Sequence, residues 1–266
     1  MKALLISDVH ANLPALDAVL NKISYDRVLF MGDAVDYGPF PFEVYSRLHQ
    51  VRAIRVLGNH DAAASFGVDC QSTPEMHEAS ILTRNVITSK RMPKRAMQAL
   101  GKKAHRKMFL EYNDLRILMV HGSPTEELYQ YVSREDAANL VEPNVDLIVL
   151  GHTHIPYEVK NENTWVVNPG SVGMPRDGNP RASCAILDTY NKVVHFERVD
   201  YDIEPMLSKL QQLLAPNTKI YEFLADIFRT GRERRLVLGE IKEAVPPASE
   251  TAYLKGYYGL SAPDDF

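Results

Sequence analysis

Five short apolar runs in this chain stop at the same kind of residue, and that repetition limits the fold more than any other feature. Residues 3–6 run into Ser7-Asp8-Val9-His10, residues 27–31 into Gly32-Asp33-Ala34-Val35-Asp36, and residues 53–57 into Gly58-Asn59-His60-Asp61. Residues 116–120 stop at His121-Gly122 and residues 147–150 at Gly151-His152-Thr153-His154. A sixth run, 165–167, leads into Asn168-Pro169-Gly170-Ser171. Runs this short, Leu-rich or β-branched and bounded by Gly, Asp, Asn or His, read as buried strands. Between the first two, Leu13, Leu16, Val19, Leu20 and Ile23 recur at helical spacing. Strand, helix, strand at this length is a βαβ unit, which predicts an α/β protein with a parallel or mixed sheet and helices outside.

In an open α/β sheet, ligands bind at the carboxyl ends of the strands, so the polar groups that end these runs should converge. Together they offer Asp8, His10, Asp33, Asn59, His121, His152 and His154. Seven such groups in one cleft would be costly to bury without a neutralising cation. Oxygen and nitrogen donors without thiolate suit Mn, Fe, Co, Ni or Zn better than calcium or copper(I). Seven is too many for one tetrahedral site and about right for two ions sharing a carboxylate. A lone histidine at a strand end is usually structural, but five of the nine histidines occur in these segments. His49, His77, His105 and His195 lie outside them and carry no predicted chemistry.

Elsewhere the pattern is helical over 74–89, opened by Thr73 and Pro74, and over about 94–110. Residues 184–187 and 192–199 read as a closing hairpin. Helices are expected over about 203–214 and 219–230, and Pro246-Pro247 breaks the chain before a tail with turn glycines at 253–259. Between Lys90 and Lys107 stand eight Lys or Arg and no acid, in a chain of net charge −4. That stretch, like the shorter cluster Arg229, Arg232, Arg234 and Arg235, is either a solvated helix face or a phosphate-attracting surface. Cys70 and Cys184 are the only cysteines of 266 residues, neither a disulfide framework nor a zinc ligand set. No apolar run reaches the roughly 18 residues of a membrane helix, and the N-terminus lacks the pattern of a secretory signal, so a cytoplasmic protein is expected.

With these residues laid out, the chain resembles the calcineurin-like metallophosphoesterases, in their small bacterial and archaeal phosphodiesterase branch. The resemblance covers residues 1–199 and continues more weakly to 231. It rests on Asp8-x-His10, Gly32-Asp33-x-x-Asp36, Gly58-Asn59-His60-Asp61, His121-Gly122 and Gly151-His152-x-His154 in the family's order; any one of these is a weak signal and all five are a strong one. It implies a four-layer α/β/β/α sandwich of two mixed sheets flanked by helices. The domain would span 1–201, with a helical C-terminal extension, 202–266, packed on it. It also implies one metal on Asp8, His10 and His154, a second on Asn59, His121 and His152, and Asp33 bridging. His60 would face the substrate beside Asn59 as the general acid, oriented by Asp36.

The resemblance therefore implies a two-metal phosphoesterase that attacks phosphorus in line with a metal-bridging hydroxide. Where the protein phosphatases of the superfamily carry a phosphate-gripping arginine after the equivalent of Asp36, this chain has Tyr37, which favours small, nucleotide-like phosphodiesters. Nucleoside polyphosphates or phosphomonoesters, including phosphoproteins, are the alternative substrates, and a non-catalytic metal-stabilised scaffold is the alternative class. Nucleic acid is a further but less favoured partner. Arg176 is read as a substrate cation or a surface salt bridge, and the Asn168-to-Ser171 loop as a phosphate contact or a simple turn.

Overall fold

Alternate side chains of the first strand face different partners, and this sets the architecture. In β1 (Lys2–Ile6), Ala3 and Leu5 join one apolar cluster while Leu4 and Ile6 join another, all fully buried. A strand covered on both faces must lie inside a layered fold. The computed structural model describes residues 1–215, 217–237 and 240–243. From β1 the chain passes through α1 (Leu13–Lys22), β2 (Arg27–Phe30), α2 (Pro41–Gln50), β3 (Ile54–Arg55) and α3 (Asn59–Phe66). Helix α4 (Pro74–Thr83) continues through a π-helical turn, Arg84–Thr88, into the short α5 (Ser89–Arg91), and α6 (Lys94–Lys102) follows. Then come β4 (Lys107–Tyr112), β5 (Leu115–Val120), α7 (Arg134–Ala137), β6 (Leu147–Val149), β7 (Pro156–Lys160) and β8 (Trp165–Pro169). The chain continues with β9 (Ala182–Asp188), β10 (Val193–Val199), α8 (Glu204–Leu213), α9 (Thr218–Thr230) and a hairpin of β11 (Arg234–Val237) and β12 (Glu240–Glu243).

Two five-stranded mixed sheets result, ordered β10-β9-β1-β2-β3 and β4-β5-β6-β8-β7. Strands β1, β2 and β3 run parallel, as do β5, β6 and β8, so their carboxyl ends emerge together on each sheet. Ala3, Leu5, Leu29 and Met31 of the first sheet share a cluster with Ile117, Met119, Leu147 and Val149 of the second, which is the face-to-face interface. The outer face of the first sheet packs Leu4, Ile6, Val28 and Phe30 against Leu16, Val19, Val44 and Leu48 of α1 and α2. The outer face of the second packs Leu118, Val120 and Ile148 against Val132 and Ala137. This is the four-layer sandwich expected. A separate helical core joins α4, the π turn, α8 and α9 through Met76, Ala79, Ile87, Met206, Leu207, Phe223 and Phe228, and it reaches the sheets through Tyr37 and Met174.

The helix expected over 94–110 ends at Lys102, and Lys107 to Leu110 belong to β4 instead. Met108, Leu110 and Tyr112 alternate toward the inter-sheet core. Asn113 and Asp114, both left-handed (φ 52° and 55°), join β4 to β5 in a two-residue hairpin turn. The helical span over 74–89 is present but changes to π-helical at Arg84. Helices α8 and α9 form where expected, and Gly231, left-handed at φ 63°, ends α9 before the hairpin. Pro246-Pro247 and the 253–259 tail lie outside the described residues. Lys94, Arg95, Lys102 and Lys103 stand on the exposed face of the α6 region, while Arg91 pairs with Glu43. Among the described residues no helix is long and apolar enough to cross a membrane.

Candidate metal centre and active site

The loops that follow the strands turn back sharply, and the backbone there is unusual. Asp8, His10, Asp33, His152 and His154 all have left-handed φ, between 46° and 66°, as do Asp36 (66°) and Tyr37 (60°). Non-glycine residues in this region carry a conformational cost and persist where surrounding structure enforces them, often at functional sites. The enforcement is visible. Asp8 N–H donates to Gly32 O at 3.0 Å, His10 N–H to Asp33 O at 3.0 Å, and the Ser171 hydroxyl to Asp8 O at 2.6 Å. Asp61, in the first turn of α3, accepts the N–H groups of Asp33 and Ala34 at 2.9 and 2.8 Å. Gly32 (φ 97°) is needed because a Cβ there would lie 2.5 Å from Gly58 N, where the ends of β2 and β3 come together.

Hydrogen bonds to main-chain carbonyls determine which ring nitrogens carry protons. His10 Nδ1 lies 3.0 Å from Val35 O, His154 Nδ1 2.6 Å from Met174 O, and His121 Nδ1 2.7 Å from Met31 O. A carbonyl can only accept, so each Nδ1 donates and each neutral ring presents a bare Nε2 lone pair. Those lone pairs meet other acceptors. His10 Nε2 and His154 Nε2 are 3.2 Å apart, and His154 Nε2 is 3.4 Å from Asp8 Oδ1. His121 Nε2 lies 2.9 Å from Asn59 Oδ1 and 3.3 Å from Asp33 Oδ2, while the Asn59 amide donates to Cys70 O at 2.6 Å. Acceptors facing acceptors in a buried cleft call for cations. Of three groups among the described residues whose ligand atoms all lie within 4.8 Å of one another, two are in this cleft, Asp8 with His10 and His154 and Asp8 with Asp33 and His121; the third is Asp69 with Cys70 and His77.

The electrostatics repeat that demand. Burial pushes the Asp8 carboxyl up to about 7, and Asp33 adds to the rise. Burial drives His10 down to about 3 and takes His152 and His154 well below the usual histidine range. Burial also disfavours charge on His121, but the Asp33 carboxylate beside it outweighs this and raises it to about 9. Asp33 goes the other way: burial opposes its charge, while His121 and His60 hold it well below the carboxylate range. Oxygen and imidazole donors of this kind fit borderline divalent ions.

Beside this cluster is a second constellation. His60 Nδ1 is 2.9 Å from Asp36 Oδ2, and its main-chain N–H donates to Asp33 Oδ1 at 2.9 Å. Its Nε2 is 3.3 Å from the Tyr37 hydroxyl. Asp36 is fully buried and His60 nearly so.

A family profile, the calcineurin-like phosphoesterase superfamily domain, matches residues 1–192. The chain belongs to that superfamily. As a calcineurin-like phosphoesterase it is a hydrolase acting on phosphoester bonds, in a family that depends on metals. Over 231 residues it is 30% identical to the uncharacterized protein MJ0912 of Methanocaldococcus jannaschii, covering 77% of this chain and 90% of that one. Over 201 residues it is 26% identical to the phosphodiesterase YfcE of Escherichia coli strain K12, covering 71% and 88%. A metallophosphoesterase structure from Sphaerobacter thermophilus aligns with TM-score 0.71 and 30% identity over 87% of this chain and 99% of that one.

Of the residues expected at the site of this phosphoesterase, Asp8, His10, Asp33, Asn59, His121 and His154 come together as described. His152 lies beside them: its N–H donates to Asp8 Oδ2 at 3.1 Å and its ring packs on His121, centroids 5.0 Å apart. Arg176 is 13% exposed, ion-paired to Glu233 at 3.2 Å, and close enough for its charge to act on Asp8, His10, His152 and His154. In the Asn168-to-Ser171 loop, Gly170 N–H caps Asn168 Oδ1 at 2.9 Å and Asn168 Nδ2 donates to Gly151 O at 2.7 Å, so the loop braces the strand end. Thr153 is buried and accepts from Asn168. Three site residues escaped the sequence reading: Asp61 as the brace, Glu233 as the partner of Arg176, and Arg84, whose Nη2 pairs with Asp36. Asp61 stood in a quoted motif, but Arg84 and Glu233 had no local signal.

Proposed function

We propose that this protein is a dinuclear-metal phosphodiesterase acting on small, nucleotide-like diesters, with His60 as the general acid. The observation that carries the reading is the juxtaposition of two ligand groups sharing Asp8 with a buried Asp36–His60 pair tied to the same Asp33. Asp8, His10, Asp33, Asn59, His121, His152 and His154 would hold two ions, drawn from Mn, Fe, Ni, Co or Zn. Bound divalent ions supply Lewis-acid neutralisation of the phosphate and an acidified water at neutral pH.

The chain's own groups do the rest. Asp36 accepts from His60 Nδ1–H, so it is the doubly protonated ring whose Nε2–H hands a proton to the departing oxygen, and the neutral ring left behind keeps its Nδ1–H on Asp36. Arg176 exchanges Glu233 for a phosphate oxygen at the rim. Tyr37 follows Asp36 where a phosphatase-type arginine would stand, and Arg84 is held by Asp36, so of these groups Arg176 alone is offered to the phosphate. Little protein charge is left for a second phosphate charge, which supports a singly charged diester over a monoester. YfcE, the relative named a phosphodiesterase, is in keeping with this. Loading the protein separately with Mn, Ni, Fe, Co and Zn and assaying a diester and a monoester of the same alcohol tests it. Diester turnover should dominate; monoester turnover without diester turnover would reverse the assignment.

A further inference from the structure

We propose that Arg84 is a positioning residue for His60, acting through Asp36 to fix which ring nitrogen of His60 faces the site. This rests on His60 being the general acid. Asp36 is fully buried, and its single oxygen Oδ2 takes both His60 Nδ1, at 2.9 Å, and the Arg84 guanidinium. A buried carboxylate facing only a neutral imidazole would lack a compensating charge. Arginine supplies that charge permanently, and its side chain is only 15% exposed here. Held as an ion pair, Oδ2 can only accept. His60 therefore presents Nδ1–H to Asp36 and turns Nε2, the nitrogen beside the Tyr37 hydroxyl, toward the reacting centre, where Nε2 carries the proton to be delivered when the ring is doubly protonated.

The helix that delivers Arg84 is built for the task. Arg84 is the first residue of the π-helical turn, and the residue before it, Thr83, accepts the Tyr37 N–H on its Oγ1 at 3.0 Å. Two consecutive helical residues thus grip two consecutive left-handed residues, Asp36 and Tyr37. π turns are rare and concentrate at functional sites. The opposite end of this helix is tied down as well, Thr73 donating to Glu233 at 2.8 Å. Arg84 stands 48 positions from Asp36 in sequence.

The test uses metal-loaded full-length protein and two probes. Bis(p-nitrophenyl) phosphate releases a phenolate that needs little protonation, whereas 2′,3′-cyclic AMP releases a ribose alkoxide that needs a proton. Arg84→Met should lower kcat on the cyclic nucleotide by about 10-fold or more and on the aryl diester by less than about 3-fold, with KM little changed. Arg84→Lys should recover part of the loss. His60→Ala with Arg84→Met should be no slower than His60→Ala alone, because residues acting as a unit are not additive. In Zn-loaded, ¹⁵N-labelled protein observed at a pH where the His60 ring is neutral, that ring should be the Nδ1–H tautomer in the native chain and a mixture in Arg84→Met. Equal losses on both probes with raised KM, additive to His60→Ala, would make Arg84 a direct phosphate contact and overturn the proposal; so would an unchanged tautomer. If His60→Ala itself shows no leaving-group dependence, the general-acid reading fails, and the tautomer measurement then decides the role of Arg84 by itself.

Discussion

The 3.2 Å approach of His10 Nε2 to His154 Nε2 is a contact between two acceptors, set up by carbonyls behind each ring. Residue identity alone could not reveal it, because either nitrogen of a free histidine can carry the proton. His60 differs in kind: its ring is held by Asp36, and only its main-chain N–H touches Asp33. Replacing the ring leaves that N–H in place. His60→Ala should therefore keep its metal-to-protein ratio while diester turnover falls by about 10²-fold or more. Metal analysis beside steady-state kinetics checks both parts, and loss of metal with the ring would show that the two functions are not separable. The left-handed backbone at Asp8, His10, Asp33 and Asp36 was likewise not legible, since nothing in the motifs demands it except glycines such as Gly32 next to the turn.

At the scale of elements, the strands that carry ligands were readable because both their faces are buried and they form unbroken apolar runs. Strand β4 was not: it is amphipathic, its basic start at Lys107 continues a basic helical stretch, and the Asn113-Asp114 turn is the one local signal that separates it from a helix. Helix α3 does more than present Asn59 and His60. Through Asp61 it holds the loop after β2 by two N–H groups. Asp61→Ala would leave both without that acceptor, at about 1–3 kcal/mol each, and free Asp33 to move. A stability loss of at least about 2 kcal/mol is expected in urea titrations, together with weaker metal affinity by roughly 10- to 100-fold. Asp61→Asn, which keeps one acceptor, should recover part of both. An unaffected Kd for metal in Asp61→Ala would mean that Asp33 is held without this brace.

For the whole molecule, the site joins the two sheets: Asp8, Asp33 and Asn59 follow strands of the first, His121 and His154 strands of the second. Its charge state should then register in global stability. In metal-stripped protein His121 is raised from 6.5 to about 9, so its stabilisation is complete below pH 6.5 and is lost as pH rises through 9. Asp8, raised from 3.8 to about 7, loses its contribution by about pH 7. His10, lowered to about 3, and Asp33, held low, no longer titrate above pH 7. Metal-stripped protein should thus lose roughly 2 kcal/mol between pH 7 and 9, seen as a falling Tm, while Mn-saturated protein should not; parallel curves would remove His121 as the cause. The sequence by itself determined the layered α/β class and the polar residues that end each strand, because apolar period and strand-end chemistry are local properties. Tertiary structure alone decided the tautomers, the shared Asp8, the packing of His152 on His121 and the grip of Arg84 on Asp36. Each depends on the direction of a lone pair or charge set by residues distant in the chain, from 20 positions for the carbonyl behind His154 to 144 for the contact of His152 with Asp8.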